Sequence, residues 1–240
     1  MAIETTHRES DSRYVSRVWT GRIEGAARMT SIATSTSELV FWSDAGVPRV
    51  SVRGPETAAS TADIVGDSET FGITLAHGTS MAPLPNSALI DNQWDSPNVT
   101  ARGFVLAGEE FEVPGVDDAE ALVDRLVRAG ILVRDPMVED VVWGGIARVG
   151  TRSVQRRVAA ATGLTQGAIR QIERARLAAA LLEEGTPALE VVHRCGYFDQ
   201  PHLARSLQRF IGRTATQLQR PDASAHPLSL LYKPRALPDS

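Results

Sequence analysis

Residues 187–211 read PALEVVHRCGYFDQPHLARSLQRFI, and the pattern in this stretch decides how the second half of the chain folds. Pro187–Cys195 has the spacing of a short helix, Gly196–Phe198 is a turn opened by glycine, and Gln200–Ile211 is a second, amphipathic helix. Leu203, Leu207, Phe210 and Ile211 fall on one stripe and are expected to face a core. Gln200, Pro201, Ala204, Arg205, Gln208 and Arg209 are left for solvent.

The same unit occurs once more, upstream. Met137–Ala147 reads as a short helix, Val149–Thr151 as a turn, and Arg152–Ala161 as a helix whose apolar stripe is Val154, Val158 and Ala161. Arg152, Ser153, Gln155 and Arg156 then point outward. Arginine forks onto guanine O6 and N7, and glutamine onto adenine N6 and N7, so such helices suit the reading of a major groove. The polar face of any surface helix carries these residues too, and it is the repetition that makes the reading specific. Between the copies, Ala168–Glu184 is rich in alanine and leucine and is stopped by Gly185. About 17 residues make a helix of roughly 25 Å. As a stiff connector it is expected to present the two helices to successive major-groove segments about 34 Å apart.

Charge follows the same division. The chain has 240 residues and a net charge of −4, but twelve arginines against five acids lie between Ala147 and Arg220. This stretch therefore carries +7 and the rest of the chain −11, as expected if one part faces polyphosphate and the other does not. Arg148, Arg170, Arg194 and Arg213 are candidates for phosphate contacts, and Arg209 adds to the DNA-facing set.

The first half has another rhythm. Short runs rich in β-branched and aromatic residues, at Tyr14–Thr20, Met29–Ala33, Glu38–Ser43, Arg49–Arg53 and Thr70–His77, are punctuated by Gly, Pro, Ser and Asp. They predict an antiparallel sheet or small barrel. Asn86 is expected to cap a short helix reaching about Asn92, and Asp117 or Asp118 a helix with Ala121, Leu122, Leu126 and Ala129 inward, ended by Gly130. Everything beyond reads as helix. Pro114 and Gly115 mark a linker at Glu112–Val116. The fold expected is α+β: residues 1–112 a β-rich sensing or dimerisation domain, 113–220 a helical DNA-binding domain with units at about 137–161 and 187–211, and 221–240 a disordered tail from which Leu228, Leu230, Leu231 and Tyr232 are able to dock back.

The series Thr151–Arg157, Thr162–Thr165, Ala178–Leu182 with Gly185, and above all Gly196–Leu207 with Gly212 and Thr214, resembles the AraC/XylS-type transcription regulators of bacteria. The resemblance covers about Val138–Leu218. It implies a bipartite helical DNA-binding domain whose first recognition helix carries Arg152, Gln155 and Arg156 and whose second carries Gln200, Pro201, Ala204 and Arg205. Two departures stand out: Thr214–Ala215 replaces a usual Thr-Pro pair, and Leu207 a common Phe. Trp19–Gly21, Arg53–Thr57, Phe71–Ile73 and Leu89–Asp91 resemble the β-rich domain that precedes this module in some actinobacterial regulators, which implies a sensing or dimerising role.

Other constellations carry less. Cys195, the sole cysteine, lies near His193 and His202 but closes a helix and is expected to be buried and inert; a DNA-repair alkyltransferase that pairs this kind of module with a reactive cysteine is disfavoured, since no second cysteine helps hold a metal. Trp19, Phe41, Trp42 and Trp94 are candidates for an aromatic ligand pocket and equally ordinary core residues. His77 is expected at a barrel mouth or, more simply, in a solvent-facing loop. No catalytic group, metal or cofactor is expected. Met1–Arg13 is polar and charged, and no long apolar run occurs, so a cytoplasmic protein without a membrane partner is expected. Double-stranded DNA and RNA polymerase are the expected partners, with a small effector and a second copy of the chain as further ones. The competing reading is a metabolite-binding or enzymatic N-terminal domain for which the helices only target DNA.

Overall fold

A computed structural model describes residues 3–25, 27–44, 46–64, 67–147, 149–220 and 228–229. In chain order the strands are β1 (Ile3–Glu9), β2 (Val15–Ile23), β3 (Ala27–Ser31), β4 (Glu38–Asp44), β5 (Val47–Arg53), β6 (Ser60–Ile64), β7 (Ser68–Leu75), β8 (Thr79–Met81), β9 (Gln93–Asp95), β10 (Gly103–Leu106), β11 (Glu109–Glu112) and β12 (Leu132–Arg134). The helices are α1 (Ala119–Arg128), α2 (Pro136–Val142), α3 (Thr151–Thr162), α4 (Gln166–Glu183), α5 (Ala188–Arg194), α6 (Gln200–Phe210) and α7 (Ala215–Gln219). An N-terminal β-sheet domain is thus followed by an all-α region with helix-turn-helix units. Residues 28–35 and 56–63, with everything from Gln166 onward, cluster as one compact unit; the remainder, through Thr165, forms the other. The sequence-marked linker at Glu112–Val116 lies inside the first unit.

The first unit is built on an antiparallel sheet in the order β1-β2-β7-β4-β5-β9. Its register places Val18, Ile73, Leu39, Val52 and Trp94 in one row across five strands, which is why alternation along each strand yields a continuous apolar face. In the next row Phe41 stacks on Phe71 at 5.2 Å and meets Phe104 edge-on at 5.6 Å. From α1, Ala119, Leu122, Val123 and Leu126 join this core, whereas Ala121, expected inward, is exposed. On the opposite face the ring of Trp19 lies against Gly72, where a Cβ would stand 2.2 Å from the indole. Trp19 is thereby committed to packing, as is Trp94.

Three further expectations are corrected in this unit. Asn86 starts only one 3-10 turn, Asn86–Ala88; its buried side-chain amide instead donates to the carbonyls of Ala160 and Ala161 at 3.1 and 3.0 Å, closing the carboxyl end of α3. Leu132–Arg134, read as helical, pairs with β8 as a strand. His77 is neither at a barrel mouth nor in solvent: it is buried, with its ring edge-on to Trp143 at 5.4 Å.

β1 is tied to α1 by charge. Arg8 donates from both terminal nitrogens to Glu120 at 2.7 and 2.8 Å, and Ser10 adds a bond of 2.7 Å. These bonds, the Arg8 guanidinium foremost, overcome partial burial and hold the Glu120 carboxyl down at about 2. A depressed carboxyl contributes stability above the range where the unfolded chain titrates and loses it as pH falls from about 5 toward 2. With both partners near one-third exposed, solvent screening leaves about 1 kcal/mol. Glu120→Gln is expected to lower stability at pH 7 by that amount and to leave it unchanged near pH 2, which urea titrations at the two pH values measure.

The second unit has α4 as its centre. Ten of its eighteen side chains are buried, against α5, α6 and α7, so the helix read as a stiff connector is also the core helix of this unit. Two of the ten are charged: Glu173 accepts from Ser35 Oγ at 2.5 Å, and Arg176 donates to the Ala33 carbonyl at 2.7 Å. The segments 28–35 and 56–63, in which β3 pairs with β6, also close the carboxyl end of α6. Ala33 N–H donates to the Phe210 carbonyl and Ala59 N–H to that of Arg209, each at 2.8 Å. From the tail, Leu228 bridges Thr30, and Ser229 N–H donates to Thr30 at 2.7 Å. The other tail residues named above lie outside the described residues.

Candidate nucleic-acid interface

In the first helical pair, Asp135 both caps α2, accepting from Met137 N–H at 3.1 Å, and receives Arg157 in a two-pronged bond of 2.6 and 2.5 Å. Arg157 is therefore occupied in holding α3 to α2. Val154 and Val158 of α3 are buried, Ala161 is half-buried, Arg152, Gln155 and Arg156 are exposed, and Ser153 is half-exposed. α3 thus presents the predicted face. The connection from Trp143 to Gly150 is longer than a tight turn, and Ile146 in it is 97% exposed. Arg148 lies outside the described residues.

The second pair is tighter. Val191 and Val192 anchor α5, Gly196 turns the chain at φ 65°, and Asp199 caps α6 by accepting from His202 N–H at 2.7 Å. Leu203, Ser206, Leu207 and Phe210 are buried, while Gln200, Pro201, Ala204, Arg205, Gln208 and Arg209 are exposed. The turn is braced by Tyr197, whose hydroxyl meets Ser206 Oγ at 2.9 Å and whose ring lies under Arg174 at 4.6 Å and beside His202 at 5.1 Å. The Arg209 guanidinium rests on the Phe210 ring at 4.9 Å. Leu207, where a Phe was noted as usual, is fully buried, and Thr214 with Gln217 forms a capping box that starts α7 at Ala215 without proline.

Every DNA-facing candidate is accordingly on a surface, α3 in the first unit and α6 in the second. The charge surplus is not all available: Arg157, Arg174 and Arg176 serve the fold. Of the phosphate candidates, Arg170 is exposed, Arg194 pairs with Glu190 at 3.3 Å, and Arg213 is half-buried. Burial pushes the Cys195 thiol up to about 11 against the opposing pull of Arg194 and Arg174, so almost no thiolate exists at neutral pH. The buried thiol is thus a weak nucleophile at neutral pH.

A separate site, which strand patterning did not reveal, lies in the first unit. A cleft of about 500 Å³ opens over the sheet, floored by Phe41, Phe71 and Val50, with Thr20 beside them and Arg22 and Glu69 at its rim. Of the five aromatic and histidine candidates, it takes in Phe41 and Trp42 but not Trp19, His77 or Trp94.

A family model described as a helix-turn-helix domain matches residues 143–221, which begin just after α2 and contain α3 to α7. The fold and the exposed helices thus define a C-terminal helix-turn-helix domain, which supports a capacity to bind DNA. No curated protein and no solved structure matches the chain. Among the described residues no helix is long and apolar enough to cross a membrane.

Proposed function

We propose that this protein is a cytoplasmic bacterial transcription regulator of the AraC/XylS type, which binds specific DNA sequences and acts on RNA polymerase without catalysing a reaction. The observation that carries this reading is α6. Its apolar side is buried in a core and both its ends are bonded, so the exposed positions Gln200, Pro201, Ala204, Arg205 and Arg209 sit on a firmly anchored helix, as base reading requires. Arg152, Ser153, Gln155 and Arg156 of α3 form the second reading face, each helix taking one major-groove segment. The aromatic-floored cleft suits a small effector, whose binding would adjust DNA affinity; a second copy of the chain would place two such readers on a paired site.

Selection from random duplex DNA by the full-length protein tests the reading. A single enriched motif is expected, bound with an affinity whose logarithm falls against log salt with a slope of about −3, for three phosphate contacts. Arg152→Ala combined with Arg156→Ala should weaken binding to it at least about tenfold. Recovery of sequences with no common motif would refute the reading.

A further inference from the structure

Phe198 is 90% exposed, on the threshold of α6. Its backbone is held, for its N–H donates to His202 Nδ1 at 3.4 Å and the next residue caps the helix, so the ring is presented from a fixed point. It has no evident folding task. An apolar residue one position before a cap commonly packs against the fourth residue of the helix, here Leu203, to fix the entry of the chain. That contact is not made: Leu203 is 2% exposed within the core while Phe198 stands in water, and the turn is braced by Tyr197 and His202 instead. The ring stands uncovered at the entry to α6, close in sequence to the exposed Gln200 and Pro201, and is therefore placed to meet whatever surface those residues meet.

In a major groove one apolar feature is offered, the C5-methyl group of thymine. We infer that Phe198 is a specificity-determining residue, its ring covering a thymine methyl at the edge of the segment read by α6. This rests on the DNA-reading function proposed above. It also fits the chemistry along the outward face, where Phe198 and Pro201 are apolar while Gln200 and Arg205 bear donors: one pair is suited to a methyl, the other to hydrogen-bonding base edges.

The test uses the full-length protein and its selected DNA, with deoxyuridine replacing thymine one position at a time, so that the methyl group alone is lost. Wild type should lose about fourfold in affinity at one or two thymines, the worth of one buried carbon. Phe198→Ala should lose a similar factor on thymine DNA and nothing further on the corresponding uracil DNA, with an unchanged circular dichroism spectrum. Losses that add at every thymine, or a Phe198→Ala protein that binds and discriminates as wild type does, overturn the inference. So does a Phe198→Ala defect confined to transcription with DNA affinity intact, which would give the ring to a protein partner. Arg205→Ala separates the two levels: if it weakens selected binding while the methyl cycle is additive, only the role of Phe198 fails; if it binds as wild type does, the DNA-reading function itself fails.

Discussion

Gly54→Ala is expected to destabilise the first unit by about 3 kcal/mol or more, lowering its melting temperature by roughly 6–12 °C. Gly54 is buried directly after β5, with its N–H donating to the Asn92 carbonyl at 3.1 Å. A Cβ there would lie 1.9 Å from the Leu89 carbonyl oxygen and 2.5 Å from its carbon. Those atoms are backbone, so no rotamer change relieves the overlap. Relief requires moving the 3-10 turn beside it, and with that turn goes Asn86, which closes the carboxyl end of α3. Gly72→Ala meets its nearest neighbour at 2.2 Å in a side chain, Trp19, rather than in backbone, and a side chain yields more readily, so its cost should be smaller. Melting followed by circular dichroism decides the order; a Gly54→Ala protein melting within about 2 °C of wild type would contradict this packing.

Arg205→Ala should leave folding untouched and cost about 1–3 kcal/mol of affinity for the selected DNA, relaxing preference at one base pair. Arg205 is exposed in the middle of the outward face of α6, one turn beyond Pro201, and among the described residues no ion pair engages it. The guanidinium is thus free to fork onto a base at little internal cost. Arg176→Ala offers the contrast. Arg176 is 2% exposed and bonds the Ala33 carbonyl, so its loss should appear first as instability of the second unit. Equilibrium titration of both variants, alongside urea unfolding, separates the two roles.

Much of this was legible because side-chain periodicity reports burial. The alternation of Phe71, Ile73 and Leu75 announced β7, and the spacing of Leu203, Leu207 and Phe210 announced α6 with its outward face. What escaped the sequence was carried by groups that periodicity does not register. β1 is an edge strand with polar side chains on both faces after Ile3, so Glu4–Glu9 offered no apolar alternation. The tie between residues 28–35, 56–63 and α6 is made by the N–H groups of Ala33 and Ala59, which almost any residue would supply. Nothing in the pattern of the alanine-rich helix marks Glu173 and Arg176 as buried, because their buried partners lie more than a hundred residues away in sequence. The cleft over Phe41 and Phe71 likewise arises from strands distant in the chain, and aromatic composition alone did not single out those two residues from Trp19 and Trp94.

Interference by guanine N7 methylation within the selected DNA measures the central claim most directly, because a forked arginine needs that nitrogen unblocked. Wild type should be excluded by methylation at particular guanines, and at one of them the block should vanish for Arg205→Ala while the others persist. Identical interference patterns for the two proteins, or no sensitive guanine at all, would contradict the assignment of α6 as a reader of bases.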